Sequence, residues 1–219
     1  MNSACISKLI IPGSLVSFRK LNQTPWSLNI ITECTEDTLC LPFTNDLLRA
    51  CLFSGTQVDI KFNNQYYEYI LNCSVVKIEL SRFPYILVKV DKICESPNNR
   101  LFPRLDVYLP AALSTSSSSY YCNVSNLSLG GTAFLIDQVF PENTSCEINI
   151  LLEDNSSIYA KGQIVTASTE NELYKYCMMF TFMEEENSNR LFSYLDALEN
   201  SYASLKSKYL NNTKSINPG

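Results

Sequence analysis

Apolar and polar residues alternate with period two in short stretches along most of the chain, and the period lengthens to that of a helix only near the end. Val58-Asp59-Ile60-Lys61-Phe62 alternates cleanly, as does much of Tyr66 to Leu80, with Asn63-Asn64 between them as a hairpin turn. Upstream, Leu15 to Arg19 and Trp26 to Ile31 read as short strands separated by the turn-prone Asn22-Gln23-Thr24-Pro25, and residues 1–12 form an irregular start. Leu39 to Phe43 is a further strand ending at Pro42, Asp46 to Ser54 is a helical turn with Leu47, Leu48 and Leu52 on one side, and Tyr85 to Val90 closes this half. Six or so strands in about 85 residues predict a small antiparallel barrel.

Ser96-Pro97-Asn98-Asn99 is the strongest linker signal in the chain. Beyond it Leu105 to Leu109 starts a second set of strands, Ser114 to Ser119 is a solvated hairpin tip, and Tyr120 to Ser125 and Thr132 to Ile136 flank a turn. Glu147 to Leu152 and Ile158 to Val165 form a hairpin through Asp154-Asn155-Ser156-Ser157, and Tyr174 to Phe182 is the closing strand. After Glu184-Glu185-Glu186 the spacing of Leu191, Leu195, Leu198, Tyr202, Leu205 and Tyr209 alternates four and three, an apolar seam on a helix. Ser188 or Asn187 would cap it, with the acids near its positive end. The seam has two readings, packing on the barrel or a face for self- or partner association. The expected fold is mainly β: two small antiparallel β-barrels, the first split-barrel-like, with a C-terminal α-helix. The expected division is a first domain over 1–95, a linker over 96–104, a second domain with the helix over 105–210, and a tail over 211–219.

Composition narrows the function. With 46% apolar and 18% charged residues the 219-residue chain can bury real cores, and 13 Tyr and 11 Phe against 6 Gly favour strands. The net charge of −5 is uneven: residues 1–98 carry nine basic and nine acidic groups, whereas 99–219 carry eight and thirteen. A protein gripping duplex DNA or an anionic membrane through a broad basic surface shows the opposite balance. With no histidine, Ser-His-Asp and Cys-His nucleophile systems and histidine-containing metal sites are excluded. The nine cysteines include no Cys-x-x-Cys pair and read as reduced, partly buried thiols. No apolar run near Met1 is long enough for a signal peptide or membrane span, so the expected location is the cytoplasm.

The chemistry concentrates between Asn99 and Gly131. Arg100 and Arg104 are four apart, but Pro103 between them removes a donor and pushes its predecessor out of the α region, so they lie on a loop. Each guanidinium fork can bind a phosphate, or the O6/N7 edge of a guanine, in two-pronged fashion. Asn126-x-Ser128-x-Gly130-Gly131 adds an amide, a hydroxyl and two glycines at a strand turn, where backbone can approach a ligand closely and a positive φ carries no steric cost.

Arg100-x-x-x-Arg104 followed by Asn126-x-Ser128-x-x-Gly131 resembles the paired signature of PilZ domains, bacterial receptors for the second messenger cyclic di-GMP. The upstream half resembles the barrel that precedes PilZ in YcgR-like flagellar brake proteins, so the resemblance spans nearly the whole chain. It implies cyclic di-GMP as ligand, with no cofactor, no metal and no catalytic residue. Arg100 and Arg104 would clamp phosphates and a guanine edge. Asn126 and Ser128 would bond guanine edge and phosphate from the barrel wall, and Gly130 and Gly131 would leave room for the purine. Asn99 is a possible additional contact. It stands where many relatives carry an extra arginine associated with a stacked ligand dimer, which leans the expected stoichiometry to one ligand per chain. The implied output is a change in inter-domain arrangement and a contact with a protein partner such as a flagellar motor or stator complex, controlling motility without catalysis, nucleic acid or a membrane span. The alternatives are a PilZ-like adaptor that no longer binds the nucleotide, a phosphodiesterase using Glu36-Asp37 or Glu184 to Glu186, and a single-stranded nucleic-acid barrel. The two acidic clusters read more simply as solvated turn and cap residues, and the acidic balance opposes the last alternative.

Overall fold

Burial follows the sequence alternation most clearly in the strand Tyr67–Glu79, where Tyr69, Leu71, Cys73 and Val75 are buried and the residues between them are more open. That is the pattern of a strand with one face on a core and one toward water. The computed structural model describes residues 6–21, 25–170 and 172–213. The turn expected at Asn22 to Thr24, the first residues of the irregular start, the last of the tail and the Leu205 and Tyr209 side chains lie outside the described residues. The chain divides into two compact units, one of Met1–Asn99 with Glu199–Gly219 and one of Arg100–Leu198.

The first unit holds β1 (Leu15–Lys20), β2 (Ser27–Ile30), β3 (Glu33–Cys34), β4 (Thr38–Pro42), the short helix α1 (Asn45–Arg49), β5 (Gln57–Asn63), β6 (Tyr67–Glu79) and β7 (Tyr85–Pro97). They form one antiparallel sheet in the order β2-β1-β5-β6-β7-β4-β3, curled as a split barrel around Phe18, Ile31, Leu41, Ile60, Leu71, Ile86 and Val88. The β5–β6 hairpin turns at Asn64, whose Oδ1 accepts the amides of Tyr66 and Tyr67 at 2.9 and 2.7 Å.

One strand is new and two local expectations for this half change. Residue pair Glu33–Cys34 forms a two-residue strand, too short to leave a periodic signal. Leu47 is buried, but Leu48 is 63% exposed, because adjacent helical residues point about 100° apart and cannot share one face. Finally, β7 does not stop at Val90: it pairs with β6 as far as Tyr67↔Pro97, so Ser96 and Pro97 end a strand instead of opening the linker. Its last seven residues are half-exposed or exposed, and without a buried face there is no alternation to read. The connecting segment therefore begins at Asn98, tied down by its amide to Tyr66 O at 2.8 Å and its side chain to Asn64 O at 2.9 Å.

The second unit is a closed six-stranded barrel of β8 (Leu105–Ser114), β9 (Ser119–Ser128), β10 (Gly131–Ile136), β11 (Ser145–Leu151), β12 (Ser157–Glu170) and β13 (Leu173–Phe182), in the order β10-β13-β12-β11-β8-β9. All its pairings are antiparallel. Closure leaves no unpaired edge. Leu113, Val124, Leu127, Phe134, Ile148, Ile158 and Ile164 fill the interior.

Helix α2 (Glu185–Thr213) begins earlier than the expected cap. Glu184 O accepts the Ser188 amide at 2.9 Å, while Asn187 Oδ1 accepts the Tyr159 amide at 2.9 Å and so pins the helix to β12. Leu191 is 1% exposed, and Tyr194, Leu195 and Leu198 pack on the barrel core, so this part of the seam caps the barrel. Burial, with Glu153 nearby, pushes the Tyr194 hydroxyl up to about 12.

Candidate functional site

The β9–β10 turn fixes the polar half of the candidate site. Ser128 pairs with Gly131 and Asn126 with Ala133 across the hairpin, leaving Leu129 and Gly130 as a two-residue loop. Leu127, between the two polar residues, points into the barrel core, so Asn126 and Ser128 stand on the outer face. Phe180 N donates to Gly130 O at 3.0 Å, which ties the loop to β13.

The two glycines are there for space. Neither has a positive φ, unlike Gly13 and Gly55, so the expected left-handed turn does not occur at either position. A Cβ on Gly131 would collide with the Met178 carbonyl oxygen on the facing strand β13. A Cβ on Gly130 would lie 2.9 Å from Cδ2 of Phe102, whose ring rests against the turn.

Phe102 is thus the residue that relates the arginine loop to the turn within this unit. Arg100 lies two residues before it and Arg104 two after, and two residues of extended chain span at most about 7 Å. Both guanidinium stems therefore start within side-chain reach of the turn. Arg100 is exposed and engaged by a neighbour, and Arg104 is half-buried. Asn99 is exposed and falls in the first unit.

The hydrogen bonding of the polar pair is uneven. Ser128, 4% exposed, donates from Oγ to Gly131 O at 3.1 Å, and its oxygen lone pairs remain acceptors. The Asn126 backbone carbonyl accepts from Thr132 Oγ1 at 2.8 Å, whereas its side-chain Oδ1 is sealed from water and has no hydrogen-bond partner. A buried acceptor with nothing to accept costs about 1–3 kcal/mol. That cost falls on one of the residues singled out from sequence.

Two participants had no signal in the motif. Phe102 reads as an ordinary loop aromatic until the turn it covers is known. Asp106 is 6% exposed and pairs directly with Asn126 across β8 and β9, a relation that only the strand register reveals. The ladder slips immediately beside this pair on both flanks, between Asp106 and Leu109 and between Ala133 and Phe134. Such bulges re-aim side chains. A cleft of about 390 Å³ opens elsewhere on β9 and β10, lined by Tyr120 to Asn123, Leu135 to Asp137 and Leu173, and it contains none of the residues predicted for the site.

Among the described residues no group of three or more cysteines, aspartates or glutamates has the arrangement to hold a metal ion. No described helix is long and apolar enough to cross a membrane.

Comparison with known proteins identifies the second unit. The family model "PilZ domain" matches residues 98–197, a span that opens just before the arginine loop and ends within α2. No curated protein matches the chain. Among solved structures, the chain is similar to Escherichia coli YcgR in complex with c-di-GMP at 14% identity and a TM-score of 0.48, over 89% of this chain and 87% of that one. It is also similar to the Bacillus subtilis inhibitor of motility MotI/DgrA at 15% identity and 0.45, over 88% and 99%. A third is the K. pneumonia MrkH–c-di-GMP complex at 11% identity and 0.46, over 87% and 89%.

Proposed function

From the premise that residues 98–197 are a PilZ domain, we propose that this chain is a cytoplasmic, non-enzymatic receptor for cyclic di-GMP. The observation that carries the reading is the state of Asn126. In the turn that bears the Asn-x-Ser-x-x-Gly half of the signature, a buried side-chain acceptor waits without a donor. A guanine presents N–H donors along one edge, and a donor delivered there turns an unpaired acceptor into a hydrogen bond. Arg100 and Arg104 supply what the phosphates and the O6/N7 edge require, permanent charge in a planar fork. Gly130 provides the floor on which a purine lies, because a side chain there would take the room now held by the Phe102 ring, and Gly131 lets the turn lie flat against the backbone of β13.

Each residue has one part. The arginines bind phosphate and base. Asn126 and Ser128 orient the nucleotide against the wall. Phe102, resting on Gly130, has to lift or turn before the floor is open, so binding and movement of the loop are coupled. The loop also starts where the chain passes from the first unit to the second, at Asn99 and Arg100, and its capture changes their arrangement. This is a conformational switch whose free energy is the ligand's differential affinity for the two states. The output is a protein contact that controls motility or a related surface-associated behaviour.

Equilibrium dialysis of the full chain against labelled cyclic di-GMP, with the linear dinucleotide and cyclic di-AMP as competitors, tests the receptor reading. Saturable retention displaced by cyclic di-GMP alone is expected, and retention no greater than that of the Arg100→Ala/Arg104→Ala variant overturns it. Small-angle scattering with and without ligand tests the switch, which fails if the profile at saturation is unchanged.

A further inference from the structure

We propose that Asp106 is a specificity residue of this site, reading the edge of guanine that carries N1–H and the N2 amino group; the inference rests on the cyclic di-GMP reading above. Directly opposed residues of an antiparallel pair share a face, with Cβ atoms about 4.5–5.5 Å apart. Asp106 and Asn126 are such a pair. Their inward neighbours Val107 and Leu127 belong to the barrel core, so both polar side chains stand on the outer face with Ser128.

Only two acids, Asp59 and Asp106, are buried among the described residues. Asp59 is held by Arg19 Nε at 3.1 Å and Asn72 Nδ2 at 2.8 Å, a structural ion pair in the first unit. Asp106 lies beside an orphaned acceptor in the candidate ligand site. It is already engaged within the fold, but a carboxylate has two oxygens and about four lone-pair positions, and can take further donors.

The chemistry divides cleanly. An arginine fork donates, so it reads the O6/N7 acceptors of guanine and is indifferent to the opposite edge. That edge offers two parallel donors, and two parallel donors match a carboxylate, with the Asn126 carbonyl as auxiliary acceptor. Hypoxanthine keeps N1–H but lacks the amino group. Adenine has an acceptor at N1 and would face the carboxylate lone pair to lone pair. Arginines alone would bind cyclic di-IMP as well as cyclic di-GMP, because both carry O6 and N7. A carboxylate on the other edge makes the protein choose.

The test is a calorimetric or competition titration of the full chain with cyclic di-GMP, cyclic di-IMP and cyclic di-AMP, on parent protein and on Asp106→Asn. The parent is expected to prefer cyclic di-GMP over cyclic di-IMP by about tenfold or more, the effect of losing one charge-assisted hydrogen bond. Against cyclic di-AMP the preference should reach about a hundredfold. Asp106→Asn should shrink the guanine-to-hypoxanthine preference to about threefold or less. If the variant binds both more weakly by the same factor, or keeps the parent's preference, Asp106 does not read the base and the inference is overturned. Equal affinity of the parent for cyclic di-GMP and cyclic di-IMP also overturns the inference and leaves the receptor intact, and it is read without the variant. A parent that binds no cyclic dinucleotide removes the receptor reading itself.

Discussion

Asn126→Leu separates what this residue does for the fold from what it does for the ligand. Leucine is close to asparagine in volume and has no polar atom. In the unliganded protein the substitution removes a buried carbonyl oxygen that has no donor, a defect worth about 1–3 kcal/mol. Asn126 is only half-buried and sits beside a bulge, so imperfect packing of the leucine offsets part of that gain. A net stabilisation of about 1 kcal/mol is expected, which for a barrel of roughly 100 residues raises Tm by about 4–8 °C. Ligand binding should move the other way. Loss of the acceptor, with an apolar branch facing the base edge, should weaken cyclic di-GMP by at least about tenfold. Differential scanning calorimetry and titration on the same preparations read both quantities. A variant that melts several degrees below the parent and binds cyclic di-GMP as tightly would refute the reasoning on both counts, since Asn126 would then be a structural residue.

Arg104→Ala should cost roughly 2–4 kcal/mol of binding, at least about twentyfold in affinity, with Tm unchanged, because a loop side chain carries little stability. Equal affinities of variant and parent in a titration would remove Arg104 from the site. Gly131→Ala forces a methyl group against the Met178 carbonyl and should destabilise the barrel by about 2–3 kcal/mol, visible as a large drop in Tm; an unchanged melting curve would show that β10 and β13 can separate without cost. Burial pushes the Cys122 thiol up to about 12 and the Cys146 thiol to about 11, so both stay protonated at pH 8. Iodoacetamide followed by peptide mapping should therefore modify the exposed Cys51 and Cys94 long before these two, and early labelling of Cys122 would contradict the packed core.

Much of the second barrel is legible without coordinates because each strand has one wet and one dry face. Glu147 to Leu151 reads as a strand for the same reason that Cys146, Ile148 and Ile150 are buried in it. The same logic explains the failures. The end of β7 is solvated on both faces and carries no period. Glu33–Cys34 is too short to have one. In α2 the acids at 184–186 marked the start of the helix, yet Asn187 serves β12 instead of the cap, a tertiary hydrogen bond that local propensity cannot foresee.

The site divides along the same line. The spacing of Asn126, Ser128 and Gly131 survives in the sequence because a hairpin keeps near neighbours together. Asp106 lies twenty positions from Asn126 and meets it only through strand register, and Phe102 meets Gly130 only once the loop has folded onto the turn. The glycines were legible as a place of close approach. Their reason was not, since it is the backbone of β13 and the ring of Phe102 that exclude a side chain there.

Isothermal titration of the full chain with cyclic di-GMP, run beside the Arg100→Ala/Arg104→Ala variant, tests the central claim most directly. The account predicts heat that saturates near one ligand per chain in the parent and is lost in the double variant. An absence of binding heat and of any thermal shift in the parent at saturating nucleotide, or equal binding by both proteins, would contradict it.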